Sequence, residues 1–212
     1  TNREGKGMPH ISLILCVDAE GSSYAPTFIF EGKKVVEGMI SPDAPADSGF
    51  ILTSSGWLNN EAFLEWLKRF NQAIEHVPRP VLLVTDGHNS RDDLDVIKFC
   101  REEKIALFRL LSHTTHKLQP LDVGLLAIFK NRWYSACNEF GQTKEAVTRE
   151  IVTKLVTGIL PDKSACSPLM SEPYKFAFTK EHIQAAWRKV GLVPFNSEEV
   201  TIESSVGAPK SM

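Results

Sequence analysis

The 212-residue chain is 42% hydrophobic and 24% charged, the balance of a globular protein with one principal core. A formal charge of −2 excludes a freestanding polycation, so any affinity for nucleic acid is local or supplied by another domain. No apolar stretch approaches the roughly 20 residues of a spanning helix, and neither a signal peptide nor membrane association is expected.

Residues 10–17 (HISLILCV) and 24–30 (YAPTFIF) are β-rich runs joined by DAEGSS, whose Asp, Gly and Ser suit a tight connection. An antiparallel hairpin is predicted there. From Asn59 the period changes: Phe63, Leu67, Phe70 and Ile74 recur at helical spacing, with Asn59 or Asn60 as the cap.

Pro78 and Pro80 end that helix and launch VLLVTD, where Val81 to Val84 are apolar without alternation, as in a strand covered on both faces. Ser90 with Asp93 three residues on resembles a capping box, and Leu94, Ile97 and Cys100 carry a helix toward Glu103. IALFRLL (105–111) is the next strand. Strand, helix, strand in this order predicts a βαβ crossover with parallel strands.

After the loop SHTTHK, Pro120 suits a first helical turn. Leu126, Phe129, Trp133, Cys137 and Phe140 then mark a buried stripe, and stepping it back four residues reaches Asp122. Beyond Gly141 the composition shifts: Val147, Ile151, Leu155 and Ile159 predict a helix, PDKSACSPLMSEP reads as a linker, and Thr179 caps a short helix ended by Gly191 and Pro194. The expected organisation is a core over 1–140 and a helical extension with a tail over 141–212. The chain starts at Thr1 and ends in a polar tail, so a piece of a longer protein is expected.

Asp86 ends an apolar strand, and ligands of open α/β sheets sit outside the carboxyl ends of the strands. Asp122 begins a helix reached from the neighbouring strand, so the two acids are expected to meet at one sheet edge, with Asp122 on the helix's buried face. Paired carboxylates repel unless a cation or proton lies between them, and an all-oxygen site suits Mg²⁺ or Mn²⁺ in phosphoryl transfer. The alternative, equally open on spacing, is that Asp86 caps the loop GHNS and Asp122 its own helix.

Other candidates are weaker. Cys16, Cys100, Cys137 and Cys166 include no C-x-x-C pair and suit reduced thiols. His113 and His116, with Cys100 or His88, lack a second paired motif for zinc. Lys33, Lys34, Lys130 and Arg132 read as a solvated face before phosphate contacts, and Trp57, Trp66, Trp133 and Trp187 as core before stacking platforms.

LLVTDGHNS, SHTTHKLQPLDVGLLAIFKNRW and FAFTKEHIQAAWRKVGLVPFN resemble, in that order, blocks of the DDE superfamily endonuclease domain of pogo/Tigger-like transposases, a group with jerky-like proteins and centromere protein B. CVDAEGSSYAPTFIFEGK and SSGWLNNEAFLEWLKRF resemble its earlier blocks. The resemblance implies an RNase H-like mixed sheet flanked by helices and a three-acid site holding two divalent metals for DNA cleavage and joining. Asp86 falls on the second acid and Asp122 on the third; His88, Gln119 and Pro120 match motif positions in supporting roles.

The resemblance places the first acid on a strand preceding the hairpin, and the chain is expected to begin after that strand. Asp18 is a substitute by position, but it lies in the turn DAEG, where such residues serve the turn. Arg91 stands where the family often has His. The resemblance further implies DNA as partner, a separate N-terminal helix-turn-helix domain and a nuclear location. A fragment with two of three acids is expected to be inactive alone; the alternative is a domesticated, non-catalytic DNA-associating or protein-interaction module.

Overall fold

The structure is a computed structural model and describes residues 11–34, 44–87, 93–111, 114–143 and 170–199. The predicted hairpin is present: β1 (Ile11–Val17) pairs antiparallel with β2 (Ser23–Glu31), from Ile11 opposite Phe30 to Val17 opposite Ser23. Asp18 closes the turn, its Oδ1 accepting from the Gly21 and Ser22 backbone N–H groups at 2.9 and 2.7 Å.

A third strand, β3 (Gly49–Thr53), which the sequence analysis did not identify, lies parallel to β2. Gly49 stands opposite Thr27, and a Cβ on it would fall 2.5 Å from the Thr27 hydroxyl, so the close approach depends on glycine.

Successive β2 side chains face opposite ways and enter separate cores. Phe28 and Phe30 stack with Phe50 on one face, and Ile29 enters the other. That second face is covered by α1 (Asn60–Ala73), whose Phe63, Trp66, Leu67 and Phe70 form the expected buried stripe. Asn59 is its cap, accepting from the Ala62 N–H at 2.8 Å.

The crossover follows: β4 (Val81–Thr85), α2 (Leu94–Glu102) and β5 (Ile105–Arg109), with the two strands parallel from Val81 opposite Ile105 to Thr85 opposite Arg109. Two details differ from the sequence reading. Leu82 and Phe108 are 65% and 55% exposed, so one face of this pair is uncovered among the described residues. The α2 cap is Asp93 itself, accepting from the Asp95 N–H at 2.9 Å, and Val96 and Cys100 are the buried positions while Leu94 is exposed. Ser90 and Arg91 lie outside the described residues.

A short helix α3 (Thr115–Leu118) and a π-helical turn (Leu121–Leu125) lead into α4 (Leu126–Thr143). The wider turn resets the stripe to Leu125, Phe129 and Trp133. Part of the predicted linker is helical as α5 (Ser171–Ala177), followed by α6 (Lys180–Lys189), which Thr179 caps as expected. Both helices bury side chains with Phe28, Phe30, Leu125 and Phe129 in one cluster. The predicted helix around 147–159 lies outside the described residues.

Among the described residues the strands therefore form two sheets, one of three strands ordered β1-β2-β3 and one of two, β4-β5. The α1 helix lies under both, since Ile29, Ile51, Leu83 and Ile105 share a cluster with Phe63 and Trp66.

Candidate functional site

A cavity of about 430 Å³ lies where the two sheets approach. Its walls are Ile14 to Ala19 from β1 and its turn, and Val81 to Asp86 from β4 and the residue after it. Phe63, Trp66 and Phe70 of α1 lie on one side, and Gln119–Leu121, Trp187, Leu192 and Val193 also line it. Mixed α/β architecture thus brings the tip of β4 to the same concavity as the Gln119–Leu121 segment.

Asp86, half-buried, follows the last residue of β4 and lines this cavity. Thr85 and Asp86 end a run of apolar residues, which is why the first available carboxylate emerges at the strand's end. Asp122 lies one residue beyond the segment that reaches the cavity, in the first turn of the π-helical stretch, where the helix dipole favours an acid. Its side chain is exposed, not on the buried face as its spacing suggested. The physical reason is the π-helical turn: four residues back from Leu125 is Leu121, which packs against the core and takes the buried position. The Asp122 carboxylate has no hydrogen-bond or ion-pair partner among the described residues.

Gln119 and Pro120 line the cavity, and the Gln119 carbonyl accepts from the Asp122 N–H at 3.0 Å, anchoring the turn that carries the acid. Asp18 also lines the cavity, but two turn amides occupy its Oδ1, as the turn reading anticipated. His88 and His113 lie outside the described residues, and His116 is exposed on α3. Arg132 stacks over Phe176 at 3.8 Å. Trp66 and Trp133 are core residues, whereas Trp57 is 60% exposed beside the turn that follows β3, a correction to its placement in the core.

Two features escaped the sequence reading. Buried polar atoms Thr85 Oγ1 and Trp187 Nε1 lack hydrogen-bond partners among the described residues, and both belong to cavity-lining residues. Burial and the nearby Asp18 charge push the Cys16 thiol up to about 12, and burial with Asp18 does the same to the Tyr24 phenol.

As a test for a metal, the Asp86 and Asp122 carboxylates are hard oxygen donors, chemistry that suits Mg²⁺ or Mn²⁺. Among the described residues no group of three His, Cys, Asp or Glu side chains is placed to hold an ion. The donor chemistry fits and the donor number does not close a site.

A family model described as DDE superfamily endonuclease matches residues 9–190, and the chain belongs to that family. The family consists of transposase-related nuclease domains that generally act on DNA with divalent metals. The chain is also similar to a protein of Cochliobolus lunatus named MFS-type transporter clz9, at 28% identity over 193 residues, 90% of this chain and 20% of that protein. The chain thus spans about a fifth of this relative's length. No helix of the described residues is long and apolar enough to cross a membrane. No solved structure matches.

Proposed function

We propose that the chain is the RNase H-like core of a pogo/Tigger-type transposase nuclease, cleaving and joining DNA when the rest of its polypeptide is present. Asp86 and Asp122 are two of its three acids and would hold Mg²⁺ or Mn²⁺. The observation that supports the reading is that Asp86 at the β4 tip and Gln119–Leu121, the segment just before Asp122, line one cavity, with Asp122 itself exposed beside it. Ions held by Asp86 and Asp122 would supply activation of an attacking water or hydroxyl and stabilisation of the leaving oxygen of a phosphodiester. The chain's own part is to present Asp86 at the end of β4 and Asp122 in a helical first turn.

By the resemblance, the family's first acid stands on a strand that precedes the hairpin in the polypeptide. The acting polypeptide works on DNA in the nucleus, beside a separate helix-turn-helix domain. The test is cleavage of supercoiled plasmid by the natural polypeptide containing this chain, in Mg²⁺ and in Mn²⁺. Nicking that disappears in Asp86→Asn and in Asp122→Asn supports the reading, and nicking that survives both substitutions overturns it. DNA retention without any nicking selects the non-catalytic, domesticated reading.

A further inference from the structure

Helix α6 runs between two turns that border the cavity. At its start, Lys180 lies against Gly21 of the β1–β2 turn, and Gln184 Nε2 donates to the Glu20 carbonyl at 3.0 Å. At its end, Lys189 Nζ donates to the Val123 carbonyl at 3.4 Å, one residue past Asp122. A helix of ten residues spans about 15 Å, so one rod sets how far the hairpin turn stands from the π-helical turn. Along it, Ile183 and Ala186 share a buried cluster with Leu121 and Leu125. Gly124 faces Ala186, and a Cβ placed on the glycine would lie 3.7 Å from the Ala186 Cβ, an ordinary contact.

The turn that carries Asp122 is thereby held on both sides. Ahead of it, the Gln119 carbonyl accepts from the Asp122 and Val123 N–H groups at 3.0 and 3.1 Å; behind it, Lys189 holds the next carbonyl from outside the helix. A π-helical turn is a rare conformation, found mostly as single turns at functional sites, so a tie from a second element bears directly on its geometry. We infer that Lys189 is a positioning residue: from the last turn of α6 its ammonium pins the Val123 carbonyl and so fixes the direction in which the Asp122 carboxylate leaves the π-helical turn. A cation in a last helical turn also answers the helix dipole, and Arg188 stands in the same turn of α6. Only the geometry separates the two, since Lys189 reaches Val123 and Arg188 makes no such bond among the described residues. Arg188 is therefore the control for a dipole effect.

The inference rests on the proposed function for the role of Asp122 as a metal ligand, and on geometry alone for the pin. It is tested on the natural polypeptide containing this chain, with Lys189→Met, Lys189→Arg and Arg188→Met. In metal-free protein, Lys189→Met is expected to speed amide hydrogen exchange at Val123 to Leu126 by about three- to tenfold and to leave Phe129 to Trp133 unchanged. Mn²⁺ affinity is expected to fall by a similar factor while the thermal midpoint is retained. Lys189→Arg, which keeps a cationic donor on a long stem, restores both, and Arg188→Met changes neither. Unchanged exchange in Lys189→Met, or no rescue by arginine, overturns the proposal. An equal loss in Arg188→Met assigns the effect to the α6 dipole and overturns it as well. Faster exchange with Mn²⁺ affinity unchanged leaves a structural tie and removes the positioning role. Mn²⁺ binding absent from the unmodified protein removes the metal reading of the proposed function instead, while the exchange rates still decide whether Lys189 holds the turn.

Discussion

Asp18 and Asp86 line one cavity although each closes a strand of a different sheet. Their chemistry diverges from there. Asp18 holds the β1–β2 turn by accepting two backbone amides, the role of an acid in an Asx-type turn. Asp18→Ala is therefore expected to lower stability by about 1–2 kcal/mol while leaving Mn²⁺ affinity unchanged. Denaturant titration and metal titration of the variant check both halves; lost metal affinity with intact stability would make Asp18 a ligand.

The hairpin turn is also where the C-terminal helices meet the sheet. Gly21 has φ +102°, and a Cβ there would lie 2.5 Å from Lys180 Cγ of α6. Gln184 Nε2 donates to the Glu20 carbonyl at 3.0 Å beside it. Gly21→Ala is expected to cost about 1–3 kcal/mol, from backbone strain and the displaced Lys180 together. A thermal midpoint equal to that of the unmodified protein would show that α6 does not pack on the turn.

Ile183 is fully buried among Phe28, Leu125 and Phe129, so α6 belongs to the same core as the first sheet. Ile183→Ala is expected to destabilise by about 2–5 kcal/mol, and unfolding is expected to stay a single transition by both far-UV and tryptophan signals. Separate transitions would mean that the C-terminal helices fold apart from the sheet.

Alkaline pH acts on the cavity wall. The Cys16 thiol is raised from 9.0 to about 12 and the Tyr24 phenol from 10.0 to about 12, so the native protein keeps protons that the unfolded chain releases. Their contribution to stability is complete below about pH 9 and is lost as pH rises toward about 12. Denaturation midpoints measured across that window should fall, and fall less steeply in the Cys16→Ala, Tyr24→Phe double variant. An identical slope in the double variant would assign the alkaline loss to other groups.

Much of this architecture can be read from periodicity. The hairpin, α1 with its Asn59 cap, the parallel β4–α2–β5 unit and the Thr179 cap all follow from local patterns that tertiary contacts reinforce. β3 is too short to announce itself; its five residues gain their strand identity from pairing with β2. Asp86 is legible because a carboxylate ends an apolar run. The exposure of Asp122 is not, because a π-helical turn shifts the buried stripe by one residue and no local sequence rule marks it. The cavity is illegible in principle, since it belongs to the distance between two sheets and to no single segment.

Asp86 and Asp122 are proposed to serve one metal site, and Mn²⁺ titration of the natural polypeptide through a double-mutant cycle decides it. Asp86→Ala and Asp122→Ala should each weaken binding by at least about tenfold, and the double variant by much less than the product of the two. Unchanged affinity in either single variant, or fully multiplicative losses, would contradict the account.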